Sequence, residues 1–249
     1  DMVVTGSSLP DMLDAIVRKV QDEIPDSLCS VLLLDESGKR LVVGAAPDMP
    51  DSYNNAIHGI EIGANVGSCG AAAFLNKRVV VEDINNHENW QAYLPLTRDA
   101  GVAACWSQPV RGTNGRVIGT FAIYHTKPTA PSEKDIELIN FASNLASIAI
   151  ENRQNHQALQ YRAYYDHLTG LANRGYFFEQ AEAVIEAARV RHHSLAMIMM
   201  DVDLFKEVND QYGHKVGDMV LQALSAACTE ELRSDDIIGR MGGEEFAVI

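Results

Sequence analysis

The stretch IGRMGGEEFAVI, residues 238–249, decides how the C-terminal part of this chain folds. Two short apolar runs flank Gly242 and Gly243. A Gly-Gly pair between such runs is typical of a tight hairpin, because its turn needs residues with positive φ. Glu244 and Glu245 then lie at the hairpin tip. By themselves these acids fit either a solvated polar turn or a metal or phosphate site, where glycines let an anionic ligand approach the backbone.

A second group of acids precedes the hairpin. The apolar run LAMIMM, 195–200, predicts a buried strand, and Asp201 follows it directly. A carboxylate just past the C-terminal end of a strand lies where α/β folds place their ligands. The spacing allows, but does not require, that Asp201 and Glu244 converge on one divalent cation with oxygen ligands suited to magnesium.

Composition and charge narrow the class of protein. With 249 residues, 47% of them hydrophobic and 22% charged, the chain has enough apolar side chains for one large or two ordinary globular domains. Its net charge of −14 argues against nonspecific nucleic-acid binding and against adhesion to an anionic membrane. Phosphate ligands are still compatible with this charge, because a bound metal supplies positive charge.

Cysteine usage and hydropathy indicate the compartment. The cysteines are far apart and form no CxxC pair, which predicts neither a zinc site nor a secreted disulfide framework. No run approaches the roughly 18 apolar residues that span a bilayer. No signal-peptide pattern opens the chain, although a first residue Asp1 rather than Met indicates a trimmed N-terminus. We therefore expect a protein of the reducing cytoplasm without a membrane partner. The cysteines are Cys29, Cys69, Cys105 and Cys228.

Strand and helix patterns indicate two domains joined by a long helix. Five strand-like runs with helices at both ends predict an α+β domain over roughly 9–150. Ser132 and Asp135 fit a capping box at the start of a helical pattern that runs to about Tyr165. Steps of three and four along it fit a coiled-coil seam, and the alternative is a surface helix packed on its own domain. For the second half, QNHQALQYRAYYD, which has too little apolar surface to bury alone, we predict a dimer helix in which Asn152 and His156 are polar seam positions. The predicted seam comprises Leu138, Ala142, Leu145, Ala149, Asn152, His156, Leu159 and Ala163.

From residue 166 onward helices alternate with strands, which predicts an α/β domain. Four segments occur in the order found in GGDEF diguanylate cyclases: DHLTGLANR, MMDVDLFKEVNDQYGHKVGD, RSDD and RMGGEEF. The chain closely resembles that family, in which GGEEF is one of the catalytically competent signatures. The resemblance implies condensation of two GTP into cyclic di-GMP with release of two pyrophosphates, each subunit of a homodimer holding one GTP.

The resemblance also implies a metal centre. Asp201 and Glu244 correspond to carboxylate ligands of Mg²⁺ or Mn²⁺, helped by the backbone carbonyl of Val202. The metal neutralises triphosphate charge and polarises the α-phosphate. Either Glu244 or Glu245 also helps to activate the 3′-hydroxyl, and the sequence does not choose between them. The catalytic residues implied are therefore Asp201, Glu244 and Glu245.

Two further sets of residues carry over to GTP. Asn209 and Asp218 resemble the residues that hydrogen-bond guanine in the family. The chemistry fits, because a carboxylate accepts hydrogen bonds from N1–H and the exocyclic amine of guanine, whereas adenine offers no such pair of donors. The second set brings the backbone close to the nucleotide, since amides at a helix start bind phosphate and glycines leave room. In this set the backbone of Leu204, Phe205 and Lys206 binds the β- and γ-phosphates, and Gly242 and Gly243 leave room for the nucleotide.

The segment RSDD, 233–236, matches the family's RxxD inhibitory motif. The resemblance implies that Arg233 and Asp236 bind the product, cyclic di-GMP. The arginine would pair with a phosphate or a guanine edge, and the aspartate with guanine. The alternative is an ordinary surface Arg and Asp at a helix end.

The N-terminal part of the chain resembles a GAF domain over roughly 10–152, through VGSCGAAAFLNKRVVVEDI and ACWSQPVRGTNGRVIGTFAIYH. The resemblance implies a sensor or dimerisation unit in front of an output domain, with an unknown ligand. Cys69 and Cys105 fit redox or chromophore sites, and they fit inert core cysteines equally well.

The predicted fold class is α+β with three parts. These are a GAF domain with an antiparallel sheet and flanking helices over 1–152, a connecting signalling helix over 132–165, and a partial α/β GGDEF domain over 166–249. The predicted function is a GAF-regulated diguanylate cyclase, and the alternative is a noncatalytic receptor for GTP or cyclic di-GMP or a dimeric scaffold. Because 166–249 is about half of a typical GGDEF domain, we expect the intact protein to be longer and these 249 residues alone to bind GTP weakly.

Overall fold

The computed structural model describes residues 8–249, so the first seven residues of the predicted 1–152 domain lie outside the described residues. The chain divides into two compact units, and the division falls between Gln154 and Asn155. The predicted boundaries at 152, 132–165 and 166 stay predictions. Within residues 8–249, none of the helices combines the length and the apolar character needed to cross a bilayer.

The first unit is an antiparallel sheet with helices packed on it. Its elements are α1 (Leu9–Glu23), β1 (Ser27–Leu34), β2 (Arg40–Ala45), α2 (Asp51–Ile57), β3 (Ile60–Glu61), α3 (Cys69–Leu75), β4 (Val79–Val81), α4 (Leu94–Asp99), β5 (Ala104–Arg111), β6 (Val117–His125) and α5 (Glu133–Tyr164), of which the residues from Asn155 onward belong to the second unit. The strand order is β3-β2-β1-β6-β5-β4, and every neighbouring pair is antiparallel. The predicted α+β class with an antiparallel sheet and flanking helices is confirmed.

The two faces of this sheet carry different side chains, because successive residues of a strand point to opposite faces. On one face Trp106 and Phe121 pack with α1 and the first half of α5 in an apolar core. On the other face Cys105 and Tyr124 pack with α2 and α3. The long helix therefore covers one face only, and shorter elements cover the other.

Helix α5 begins at the predicted capping box. The Asp135 amide donates to the Ser132 hydroxyl at 3.3 Å, and the Ser132 amide donates to the Asp135 carboxylate at 2.8 Å. Ala142 and Ala149 are only 0% and 3% exposed and pack in the core of the first unit, so the first half of the helix follows the alternative of packing on its own domain. The dimer contact expected for the second half stays a prediction. The exposed apolar residues, called here the α5 stripe, are Phe141, Leu145, Ile148 and Leu159.

The second unit has a four-stranded sheet with a hairpin at its centre. Its elements after α5 are β7 (Ala172–Asn173), α6 (Arg174–Arg191), β8 (Ile198–Asp201), α7 (Phe205–Tyr212), α8 (His214–Glu231), β9 (Ile238–Gly242) and β10 (Glu245–Val248). The strand order is β7-β9-β10-β8, with β7 and β9 parallel and the other two pairs antiparallel. The hairpin predicted around Gly242 and Gly243 is β9–β10.

The strand predicted as buried over 195–200 is shorter and more exposed than expected. It starts at Ile198 and pairs only with β10, so β8 is an edge of the sheet. Ile198 and Met199 are 55% and 60% exposed, and Met200 packs against the core. The apolar run thus predicted the strand correctly and its burial wrongly, because hydropathy does not report which elements cover a strand.

Candidate functional site

The turn between β9 and β10 holds both signature glycines and the first signature acid. Gly242 and Gly243 have φ values of 146° and 54°, which residues with a Cβ rarely adopt. A Cβ at either position would meet no atom within 4 Å among the described residues, so the space over the turn is open. Glu244 is half-buried in this turn. The glycines are therefore required by the backbone conformation, and they leave room for a ligand.

Strand pairing brings two of the predicted catalytic acids together. Glu245 and Asp201 are directly opposed in the antiparallel pair β10–β8, and both are exposed. Glu244 precedes Glu245 in the turn, so three carboxylates lie at one end of the sheet. Like charges directly opposite each other on a sheet are unfavourable, and a cation between them would relieve this repulsion.

The available donors fit a magnesium site that the substrate completes. Among residues 8–249 no group of three or more His, Cys, Asp or Glu side chains is arranged to hold a metal ion. Mg²⁺ is usually bound through one or two carboxylates, with water and substrate phosphates as the other ligands. Asp201, Glu244 and the carbonyl of Val202 form a donor set of this kind. That carbonyl also accepts from the Phe205 amide at 3.2 Å, which leaves its second lone pair.

The backbone after Asp201 is strained where the phosphate contacts are predicted. Leu204 has a φ of 56°, in the left-handed region that residues other than glycine rarely occupy. Its side chain is 67% exposed, so packing does not explain the conformation. A left-handed residue before a helix start is typical of the backbone concavities that bind anions. The Phe205 amide already donates a hydrogen bond to the Val202 carbonyl, and the amides of Leu204 and Lys206 lie on either side of it along the chain.

The two residues predicted to bind guanine lie where α7 meets α8. Asn209 is on α7, and its side chain lies against Gly217, the residue before Asp218 on α8. A Cβ at Gly217 would collide with Oδ1 of Asn209 and would lie 3.2 Å from Cζ of Phe205. Gly217 is therefore what allows the Asn209 side chain to pack against the first turn of α8, next to the residue that precedes Asp218.

We expect Gly217→Ala to weaken GTP binding roughly tenfold, because the added methyl group displaces the Asn209 amide. The collision should also lower the free energy of unfolding by roughly 1–3 kcal/mol, in spite of the better helix propensity of alanine. Calorimetric GTP titration and urea unfolding measure the two effects. Gly175→Ala in α6 is the matched control, since a Cβ there lies at an ordinary 3.5 Å from Asn173. Equal effects of the two substitutions would contradict this account.

A buried ion pair fixes the signature turn to the start of the second unit. Arg240 donates to Oδ1 of Asp166 at 3.0 Å, and the two side chains are only 13% and 18% exposed. The same guanidinium donates to the carbonyl of Gly243 at 3.0 and 2.7 Å. Asp166 in turn accepts from the Thr169 amide and hydroxyl at 3.0 and 2.7 Å. We call this arrangement of Asp166, Arg240 and Gly243 the Arg240 clamp.

The clamp changes the titration of Asp166. Partial burial opposes ionisation, but the hydrogen bonds from Thr169 and Arg240 outweigh it and lower the pKa of Asp166 below its ordinary value. A lowered carboxyl pKa contributes stability that is complete above the ordinary pKa of about 4 and is lost as the pH falls through the folded-state pKa.

We therefore expect Asp166→Asn to lower the free energy of unfolding of the second unit by about 2 kcal/mol at pH 7, and by less at pH 3. The difference shrinks because pH 3 lies below the ordinary carboxyl pKa of about 4, where the stability that the lowered pKa contributes is already being lost. Urea unfolding at both pH values measures the difference. Asp210→Asn, on the exposed side of α7, is the control and should change little. A deficit of the same size at both pH values would refute the charge-based explanation.

The predicted product-binding residues form a compact turn between α8 and β9. The Arg233 amide donates to Oδ2 of Asp236 at 2.9 Å, and the Asp236 amide donates back to the Arg233 carbonyl at 3.1 Å. The Arg233 side chain is exposed and Asp236 is half-buried. The turn thus has a fixed backbone and an arginine that is open to solvent.

Two known protein families match this chain, one in each part. The model described as "GAF domain" matches residues 6–151, and the model described as "Diguanylate cyclase, GGDEF domain" matches residues 163–249. The chain belongs to the GAF family and carries a GGDEF domain. The resemblance predicted from the sequence is therefore confirmed for both parts.

Individual relatives agree with this assignment. The methyl sulfide methyltransferase-associated sensor of Methanosarcina acetivorans is 36% identical over 160 residues, covering 64% of this chain and 16% of its own length. Diguanylate cyclase DgcS of Shewanella oneidensis is 38% identical over 98 residues, covering 39% of this chain and 33% of its own length. The match thus spans a third or less of each of these relatives.

A solved structure supports the fold of the GAF domain. The GAF domain of an Acinetobacter phosphoenolpyruvate-protein phosphotransferase superimposes with a TM-score of 0.50 at 20% identity, covering 63% of this chain and 90% of that one. At this identity the likeness concerns the fold alone.

Two elements of the GGDEF domain were missed by the sequence analysis. Arg240 and Asp166 are 74 residues apart, and only the fold shows that they meet. Gly217 lies in the first turn of α8, and only the fold shows that it meets Asn209 of α7. A glycine inside a helical pattern was the available signal for a close contact.

Proposed function

We propose that this chain is the regulatory part and part of the catalytic domain of a diguanylate cyclase, which condenses two GTP into cyclic di-GMP and releases two pyrophosphates. The observation that carries the proposal is the acidic end of the β8–β10 pair. There Asp201, Glu244 and Glu245 lie beside an open glycine turn and a strained backbone segment at Leu204.

Each predicted residue has a role in this reaction. Asp201, Glu244 and the Val202 carbonyl hold Mg²⁺, or Mn²⁺, which supplies positive charge to the triphosphate and polarises the α-phosphate. Glu244 or Glu245 accepts the proton of the 3′-hydroxyl. That oxygen forms a bond to the α-phosphorus of the second GTP while the bond to pyrophosphate breaks. The remaining contacts orient GTP. Asn209 and Asp218 bind guanine, the backbone of Leu204, Phe205 and Lys206 meets the β- and γ-phosphates, and Gly242 and Gly243 leave space for the nucleotide over the turn.

The product regulates the enzyme through the RxxD turn in this proposal. Arg233 is exposed on a fixed backbone, so that its guanidinium is free to pair with a phosphate or a guanine edge of cyclic di-GMP. Asp236 accepts from the guanine N–H groups with the carboxylate oxygen that the Arg233 amide does not occupy.

The reaction needs two GTP sites facing each other, so we propose a homodimer formed through the GAF domain and the connecting helix. The α5 stripe supports this, because Phe141 and Ile148 are 59% and 52% exposed although both are large and apolar. Residues 1–152 then act as a sensory and dimerisation domain with a ligand of its own, 132–165 as the signalling helix and 166–249 as the catalytic part. The protein would work in the cytoplasm, where GTP is available.

The test is product formation by the full-length protein. GTP and Mg²⁺ are added, and cyclic di-GMP is followed by chromatography with and without added product. We expect cyclic di-GMP to form, and added product to slow its formation. A folded dimer that binds GTP and forms no cyclic di-GMP would instead be a noncatalytic nucleotide receptor, and the proposed activity would be wrong.

A further inference from the structure

One face of the GAF sheet carries a cluster of buried thiol and hydroxyl groups. Along β5 and β6 the pairs Cys105–Tyr124 and Ser107–Ala122 are in register, which places these side chains on the face covered by α2 and α3. Thr120 lies on the same face by alternation along β6. The opposite face has Trp106, Val110, Phe121 and Ile123 at the neighbouring positions. Burying thiols and hydroxyls together on one face is costly unless they serve each other or a ligand.

Helix α3 brings a second cysteine to this centre. Cys69 is the first residue of α3, and its Sγ lies 3.6 Å from the hydroxyl of Tyr124. Tyr124 is also the cross-strand neighbour of Cys105, and its hydroxyl lies 3.3 Å from that of Ser30. Cys69, Cys105 and Tyr124 therefore form one buried cluster.

Two hydroxyl groups at this cluster lack a partner. Oγ of Ser107 and Oγ1 of Thr120 belong to fully buried residues, and among the described residues neither has a hydrogen bond of good geometry. By strand register and alternation both lie on the face of the sheet that packs against Cys69. A thiolate at Cys69 would place a strong acceptor on the face where these two buried donors have none, so the polar groups of this face favour its anionic form.

The titration of the two thiols agrees with this geometry. Hydrogen bonding from Cys105 is the largest cause, and with the nearby hydroxyls it outweighs burial and lowers the pKa of Cys69 to about 7. Burial raises the pKa of Cys105 well above its ordinary value, so that thiol keeps its proton. The other titratable groups here are Tyr53 and Tyr124, and burial raises both of their pKa values.

A small cavity reaches the lower-pKa thiol. It has a volume of about 30 Å³ and is lined by Val66, Gly67, Ser68, Cys69, Trp90 and Tyr124 among others. One water molecule needs roughly 10–15 Å³ by this measure, so there is room for a molecule of two heavy atoms. Hydrogen peroxide has this size and the polarity to accept hydrogen bonds from the cluster.

We propose that Cys69 and Cys105 form a peroxide-reactive thiol pair inside the GAF domain. The Cys69 thiolate attacks one oxygen of hydrogen peroxide, the O–O bond breaks, and Cys69 sulfenic acid and water result after the leaving hydroxide takes a proton. The Cys105 sulfur then displaces the sulfenic hydroxyl, which leaves as a second water. Two thiols and one peroxide thus give one disulfide and two waters, with two electrons passing from sulfur to oxygen.

Cys29 provides an internal control, because it is buried in the apolar core on the opposite face of the same sheet. Burial raises the pKa of Cys29 to about 12. At pH 7 a much larger fraction of Cys69 than of Cys29 is thiolate, although the more acidic thiolate is the weaker nucleophile. Taking both effects together, we expect Cys69 to react with hydrogen peroxide at least about a hundredfold faster than Cys29.

The experiment treats the reduced, folded chain with hydrogen peroxide at pH 7, and peptide mass spectrometry follows each cysteine with time. We expect a Cys69–Cys105 disulfide that dithiothreitol reverses, while Cys29 stays reduced. In Cys105→Ser the reaction should stop at Cys69 sulfenic acid, which dimedone traps. Cys29→Ser should leave the formation of the disulfide unchanged.

Three results would overturn the proposal. They are oxidation of Cys69 no faster than that of Cys29, a disulfide that forms without Cys105, and absence of trapped sulfenic acid in Cys105→Ser. Near-ultraviolet circular dichroism of each variant before treatment establishes that it is folded. The readout is covalent chemistry in the GAF domain, so it is independent of any cyclase activity.

Discussion

Replacing Asp201 with asparagine should lower cyclic di-GMP formation by the full-length protein at least about a hundredfold, because under the proposed function it removes a charged metal ligand and leaves the shape of the side chain. Asp201 is exposed at the end of the edge strand β8, so the substitution should not disturb folding. Steady-state product formation with GTP and Mg²⁺ measures the effect. Raising the Mg²⁺ concentration should restore part of the activity.

Glu230→Gln is the matched control for this experiment. It also removes one negative charge from an exposed acid, but it lies near the C-terminal end of α8, outside the acidic end of the β8–β10 pair. If both variants lost activity equally, overall charge rather than metal binding would explain the loss. If Asp201→Asn kept wild-type activity at limiting Mg²⁺, the assignment of Asp201 as a ligand would be wrong.

The second large effect is expected from the α5 stripe. Ile148→Glu should convert the proposed dimer to a monomer at micromolar concentration, because it places a charge where a partner helix would pack against Ile148 and Leu145. Cyclic di-GMP formation should fall at least about tenfold, since one copy holds only one GTP. GTP binding per chain should not change. Sedimentation velocity and the product assay, carried out at equal protein concentrations, test both expectations.

Gln154→Glu provides the control on the same helix. Gln154 is exposed and lies on the side of α5 away from the stripe. The substitution Gln154→Glu therefore adds the same negative charge as Ile148→Glu without changing the proposed interface. A variant Ile148→Glu that remained dimeric would show that the stripe is not the interface. If Ile148→Glu were a monomer with full activity, the proposal that the reaction needs two facing GTP sites in a homodimer would be wrong.

What the sequence predicted best are features that depend on neighbouring residues. The capping box of Ser132 and Asp135 and the turn at Gly242 and Gly243 follow from local hydrogen bonding and backbone conformation. The two-residue strands β3 and β7 could not be predicted, because so short a run has no detectable alternation.

The features that the sequence did not predict depend on tertiary packing. Ala142 and Leu145 both fit a heptad seam, and only the fold shows that Ala142 faces its own sheet. The site was predicted as a set of residues through a family resemblance. The opposition of Glu245 to Asp201 required the strand register, and the Arg240 clamp required the long-range closure of the sheet.

The strand order of the GGDEF domain also sets the order in which it is able to form. β7 and β8 precede the hairpin in the sequence, yet among residues 8–249 each pairs with the β9–β10 hairpin and not with the other. On a ribosome, both would therefore emerge before this partner and find it when residues 238–248 have been synthesised. The segment that carries the signature acids thus also links β7 to β8, and a chain released before that segment is made would leave the apolar strand β8 without this partner and open to aggregation.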